Sequence, residues 1–152
     1  MVILLDTNIL LNLVEPTHAH HEVAVSSVRH LLRLGNNFCI VPQIFYEYWV
    51  VSTRLATQNG RGKTPEYLLS EIAYFQTRFK LLPETGQVFE EWKRLVSAHH
   101  VAGKLAHDTR LIAAMLVHQV GHLLTLNDAD FRRFPDIQIL TPFSVLPDAG
   151  SR

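Results

Sequence analysis

Val2-Ile3-Leu4-Leu5-Asp6-Thr7-Asn8-Ile9 is the stretch that decides how this chain folds. Four apolar residues in succession, with no polar alternation, mark a strand buried on both faces. That is the habit of parallel sheets covered by helices. Asp6 then stands at the strand's carboxyl end, the edge of an open α/β sheet where ligands bind. Thr7 and Asn8 suit the start of the next helix, because their short side-chain oxygens accept hydrogen bonds from unpaired backbone N–H groups. An aspartate here can be a helix cap and nothing more, so its meaning depends on what the rest of the chain brings to the same edge.

The 152 residues suffice for one domain. With 47% apolar and 18% charged residues and no low-complexity tract, the composition is that of an ordinary globular protein. A formal net charge of zero argues against a bulk electrostatic grip on duplex nucleic acid, so any such contact needs a local basic patch. The lone Cys39, inside Phe38-Cys39-Ile40-Val41, cannot form an internal disulfide and is expected as a small buried hydrophobe in a reducing compartment. The N-terminus has no basic leader, and no run approaches the roughly twenty apolar residues of a membrane span. A soluble cytoplasmic protein is expected.

After Asn8 the pattern predicts a short helix ending by Pro16, then a helix from about Ala19 to Leu34 stopped by Gly35, with Ala24, Val28, Leu31 and Leu32 inward. Phe38 to Val41 reads as a second strand. Gln43 to about Thr57 reads as a third helix, with Ile44, Tyr48, Val51 and Leu55 in one stripe and Glu47 on the same face. Residues 59–63, Asn-Gly-Arg-Gly-Lys, read as a flexible basic loop before a fourth helix that runs to about Phe79. A short strand at Lys80–Leu82 and a fifth helix carrying Val88, Phe89, Trp92, Leu95 and Val96 follow. His107-Asp108-Thr109-Arg110 opens a buried helix stopped by Gly121, and strands at 122–126 and 137–140 flank the acidic loop Asn127-Asp128-Ala129-Asp130. Strands separated by helices throughout predict a parallel sheet between two helical layers. Residues 147–152 are expected as a flexible tail.

Asp6 at a strand's end, Asp108 at a helix's start, and Asp128 or Asp130 in a loop leaving a strand all fall on one rim of this sheet. Glu47 lies one turn in. Clustered carboxylates repel one another unless a cation neutralises them. Hard oxygen donors suit magnesium or manganese better than zinc, and such an ion supports phosphodiester hydrolysis by activating water and offsetting charge on the phosphate. The nine histidines show no zinc spacing.

Taken together, Asp6-Thr7-Asn8, Pro42 with Glu47 downstream, residues 107–114 (His-Asp-Thr-Arg-Leu-Ile-Ala-Ala) and residues 125–131 (Thr-Leu-Asn-Asp-Ala-Asp-Phe) resemble the PIN-domain nucleases, especially the VapC-type toxins of toxin–antitoxin pairs. The resemblance covers nearly the whole chain. It implies a three-layer α/β/α domain over residues 1–146 with a central five-stranded parallel sheet. It further implies a magnesium- or manganese-dependent endoribonuclease acting on single-stranded RNA, frequently a homodimer, with a small antitoxin protein as partner.

Residue by residue, Asp6 and Asp108 match the family's two most regular metal-binding aspartates, and Glu47 matches the acid of its third helix. Asp130 is favoured for the fourth position, with Asp128 as the alternative. Thr7, Asn8, Thr125 and Asn127, and Asp128 if it is not a ligand, are expected to orient the carboxylates or hold water. Arg54, Lys104 and Arg110 are the candidate contacts for RNA phosphates, although Glu47 could instead pair with Arg54 or Arg110, and Arg110 with Asp108. Two rivals remain. One is a PIN-like module that binds RNA or protein without cleaving. The other is a phosphatase with an aspartyl nucleophile, which would want an acid where Asn8 stands.

Overall fold

Ile3, Leu4 and Leu5 are sealed from solvent because the strand that holds them, β1 (Val2–Leu5), is flanked on both sides. The structure, a computed structural model, describes residues 1–148. Its sheet has five strands in the order β3-β2-β1-β4-β5, with β2 at Asn37–Ile40, β3 at Lys80–Leu81, β4 at His122–Leu124 and β5 at Gln138–Leu140. Every pairing is parallel, with Leu4 opposite Cys39 on one side and Leu123 on the other. This is the expected parallel α/β sheet.

Helices α1 (Thr7–Val14), α2 (His21–Arg33), α3 (Pro42–Thr53) and α4 (Pro65–Arg78) lie in the connections from β1 to β2 and from β2 to β3. Helices α5 (Gly86–Ala98) and α6 (Leu105–Val117) carry the chain back across to β4, and right-handed crossovers place them on the opposite face. The packing agrees: α1 meets α2 and α3, α3 meets α4, and α5 packs on α6. The two layers bury Ile9, Leu10, Ile44 and Tyr48 from one side and Leu111, Ile112 and Met115 from the other. Each such side chain contributes about 1.5–3 kcal/mol through removal from water. Cys39 is a buried free thiol, and burial pushes its pKa up to about 12, so it is inert packing as expected.

Several boundaries differ from the sequence reading. Helix α3 stops at Thr53 and Leu55 is 59% exposed, because Arg54 turns extended and the chain folds back on itself. Gly60 approaches the Arg54 carbonyl so closely that a Cβ would sit 2.1 Å from its oxygen, a contact only glycine permits. Leu32 and Phe89 also face solvent. Phe89 is one position on from buried Val88, which turns it off the stripe, and it stacks on Trp92. Residues 59–63 are not the free basic loop their composition suggested. The Arg61 side chain is 3% exposed and forms ion pairs with Glu15 and Glu71 at 2.8 and 2.9 Å. A last helix, α7 (Pro142–Val145), is closed by a reciprocal Thr141 and Ser144 capping box absent from the sequence reading. Residues 149–152 of the expected tail lie outside the described residues. Among the described residues no helix is long and apolar enough to cross a membrane.

Candidate active site

From β1 the chain moves toward β2, and from β4 toward β5, so a crevice opens between the carboxyl ends of these two adjacent strands. Asp6 sits at its floor. Its backbone N–H continues the sheet by donating to the Leu124 carbonyl at 3.0 Å, and its side chain is only 7% exposed. Oδ1 accepts from the Thr7 N–H at 2.7 Å, capping α1. Oδ2 accepts from the Thr125 hydroxyl at 2.7 Å and from Asn8 Nδ2 at 3.2 Å. Asn8 ties the two strand ends together, since its Oδ1 also accepts the Leu126 N–H at 3.0 Å. The Thr125 hydroxyl accepts the Asn127 N–H at 2.9 Å. Cap and site are therefore one device: the contacts that start the helix also fix the carboxylate.

Glu47 comes from the second turn of α3. The Thr7 hydroxyl donates to its Oε2 at 2.7 Å, and Gln43 Nε2 donates to its Oε1 at 2.9 Å. The same Gln43 nitrogen reaches the His107 carbonyl at 2.8 Å and so locks α3 to the first turn of α6, where Asp108 lies. Sequence reasoning missed Gln43. Its signal was the spacing of four from Glu47, which puts both on one helix face. Neither Arg54 nor Arg110 pairs with Glu47 among the described residues, and Arg110 reaches Glu84 at 3.2 Å instead.

Asp6, Glu47, Asp108 and Asp130 line one hollow of about 260 Å³, together with Thr7, Asn8, Asn127 and Phe131. Asp128 does not line it. That side chain turns outward to Arg132, which holds its carboxyl below the usual range. Burial pushes Asp6 from 3.8 up to about 6, with Glu47 adding to the rise and the Thr125, Thr7 and Asn8 hydrogen bonds opposing it. Asp108 also rises to about 6, first by burial and then through the charges of Asp130, Asp6 and Glu47. Among the described residues no lysine or arginine lines the hollow.

The donors are carboxylate, hydroxyl and amide oxygens, which fit a hard divalent cation. Among the described residues no three acidic, histidine or cysteine side chains are drawn tightly enough to enclose an ion as they stand. The carboxylates wall the hollow.

The raised carboxyls make stability depend on pH. Between pH 3.8 and about 6 the folded chain retains the Asp6 proton that the unfolded chain has lost, so unfolding free energy falls as pH rises through that window. The Asp6 contribution is about 3 kcal/mol. Urea titrations of metal-free protein across pH 4 to 7 should show this slope, and Asp6→Asn should flatten it. Equal slopes in the two proteins would contradict the assignment.

Arg54 and Arg110 lie outside the acidic hollow, in an adjoining groove with Gln43, Tyr46, Glu47, Val50, Val51 and His107. Lys104 lies in neither; it is exposed at the start of α6.

A PIN-domain family model matches residues 3–137. The chain is 25% identical over 147 residues to ribonuclease VapC48 of Mycobacterium tuberculosis, covering 91% of this chain and 96% of the relative. Its fold matches a chain in the crystal structure of VapBC2 from Rickettsia felis bound to a promoter DNA fragment, with a TM-score of 0.69 at 18% identity over 93% of this chain and 98% of the other. It also matches a chain of a toxin–antitoxin complex from Klebsiella pneumoniae, with a TM-score of 0.64 at 19% identity over 94% and 99%. A parallel five-stranded sheet whose β1 and β4 ends gather acids into one crevice, and a family match spanning nearly all of it, lead to one conclusion: this chain belongs to the PIN-domain family.

Proposed function

We propose that the protein is a divalent-metal-dependent endoribonuclease that cleaves single-stranded RNA, and that it is the toxin component of a toxin–antitoxin pair. The observation that carries the reading is the meeting of Asp6, Glu47, Asp108 and Asp130, from four separate parts of the chain, in a hollow that no cationic side chain among the described residues lines. Mutually repelling carboxylates have no packing purpose, and their cost is recovered when they hold a cation. The likeness to ribonuclease VapC48 supports the reaction class, and the likeness to a toxin–antitoxin complex supports a small protein antitoxin as partner. Homodimerisation and a cytoplasmic location belong to the same reading.

Magnesium or manganese held by Asp6, Glu47, Asp108 and Asp130 would supply Lewis acidity, activating water and offsetting charge on the scissile phosphate. Thr7 and Gln43 hold Glu47, while Thr125 and Asn8 hold Asp6, so two of the four carboxylates are fixed before any ligand arrives. Such preorganisation avoids rearrangement during reaction. Asn127 and Asp130 close the hollow from the loop after β4. The ion pair of Asp128 with Arg132 supports Asp130 rather than Asp128 as the fourth ligand. Arg54 and Arg110 in the adjoining groove support contacts to RNA phosphates beside the acids, and Lys104 would add to them from further out.

The test is cleavage of a fluorogenic single-stranded RNA in magnesium, in manganese and in EDTA. Cleavage in either metal and none in EDTA is expected. Undiminished cleavage in EDTA would contradict the proposal, and turnover of p-nitrophenyl phosphate through an acid-stable phospho-enzyme would favour an aspartyl phosphatase.

A further inference from the structure

The groove beside the acidic hollow has a volume of about 370 Å³ and shares Glu47 and Val51 with its lining, so the two adjoin. Tyr46 and Val50, four residues apart, stack along one face of its α3 wall, and Arg54 follows just past the end of that helix. Tyr46 is 60% exposed, an open aromatic surface next to a site that handles nucleic acid in the reading above. Arg110 stands on the facing α6 wall. Its ion pair with Glu84 is largely solvated and therefore weak enough to exchange for a phosphate. Gln43, buried in the same wall, spends its amide N–H groups on Glu47 and His107, and among the described residues nothing donates to its Oε1.

We propose that this groove is a nucleobase subsite: it seats the base of a nucleotide adjoining the scissile phosphate, stacked on Tyr46 against Val50, with Arg54 and Arg110 on the neighbouring backbone phosphates. The inference rests on the ribonuclease reading and adds to it the place where the substrate is gripped. Single-stranded RNA is held in this way because unpaired bases offer π faces and N–H edges while the backbone offers charge. The juxtaposition of an aromatic face and two guanidinium groups fits a nucleotide better than an apolar peptide, which would leave both arginines uncompensated.

The test walks a single abasic nucleotide along a defined single-stranded RNA, with wild type, Tyr46→Ala and Tyr46→Phe. Each position is read twice: by cleavage in magnesium, and by fluorescence anisotropy of the bound RNA in EDTA, where nothing is cut. For wild type, one position flanking the cut should lose about tenfold in cleavage and in affinity when its base is removed. Tyr46→Ala should show the same tenfold loss with intact RNA and no further loss when that base is missing, while Tyr46→Phe behaves as wild type. Independent, multiplying effects of the two deletions would overturn the subsite, as would a flat abasic scan. Dissociation of a dimer by Tyr46→Ala, or loss of a protein partner with RNA binding intact, would also overturn it by giving the groove another occupant. Because Tyr46 is exposed, its variants should unfold at the wild-type temperature. Failure of the ribonuclease reading looks different: no cleavage at any position, or cleavage that survives EDTA, with the binding scan still deciding the subsite.

Discussion

Asp108→Asn and Asp6→Asn should each lower RNA cleavage by about 1,000-fold or more while leaving the fold at least as stable as wild type at pH 7. The activity figure corresponds to about 4 kcal/mol of lost transition-state stabilisation, the scale on which removal of a directly acting electrostatic group is felt. The stability half of the prediction makes it specific. Both carboxyls are raised to about 6, so at neutral pH each is ionised against the opposition of burial and of its acidic neighbours. Asparagine keeps the size and removes the charge. For Asp6 the substitution also keeps an oxygen to cap Thr7, although the Thr125 and Asn8 contacts must rearrange. Cleavage assays with paired thermal unfolding check both halves. A variant that loses activity only in proportion to its lost stability would reduce the acid to a structural helix cap.

Arg61→Ala is expected to destabilise the protein by about 3–5 kcal/mol, the cost of removing one partner from a buried ion pair. Arg61 donates to Glu15 at the end of α1, to Glu71 on α4, and to Tyr48 and Ser52 on α3. Its guanidinium also sits 5.4 Å from the centre of the Tyr48 ring. Without it, two carboxylates and a buried phenol lose their shared donor at the junction of three helices. Tyr48 follows Glu47 directly, so the same cluster braces the helix that carries one of the four acids. Chemical denaturation gives the stability, and cleavage per folded molecule gives the effect on the site. A loss under 1 kcal/mol would place Arg61 among ordinary surface arginines.

That cluster also shows where sequence reading reached its limit. The strand ending at Asp6 was legible because an unbroken apolar run has few other uses, and Asp6, Asp108 and Asp130 were legible because each stood near an element boundary that local signals could place, while Glu47 was read from the helical face it shares with Ile44 and Tyr48. Arg61 was not. Its glycine-rich surroundings suggest mobility, and nothing local reveals that Glu15, 46 residues away, and Glu71 converge on it. Which of Asp128 and Asp130 faces the hollow likewise depends on a short-range competitor: Arg132, one helical turn on, draws Asp128 outward. Leu55 and Phe89 failed for a related reason, since periodicity gives a face but not where the helix ends or how wide its partner is. Gln43 lay on the legible face of α3, yet its value depends on the His107 carbonyl reaching it from the far side of the sheet.

The central claim is that these acids are gathered to hold a divalent cation, and crystals grown or soaked in manganese test it most directly. The account predicts an anomalous scattering peak inside the hollow, ligated by Asp6 and Asp108 carboxylate oxygens at about 2.0–2.3 Å, and lost in Asp108→Asn. A hollow that stays empty at saturating manganese, in protein that still cleaves RNA, would contradict it.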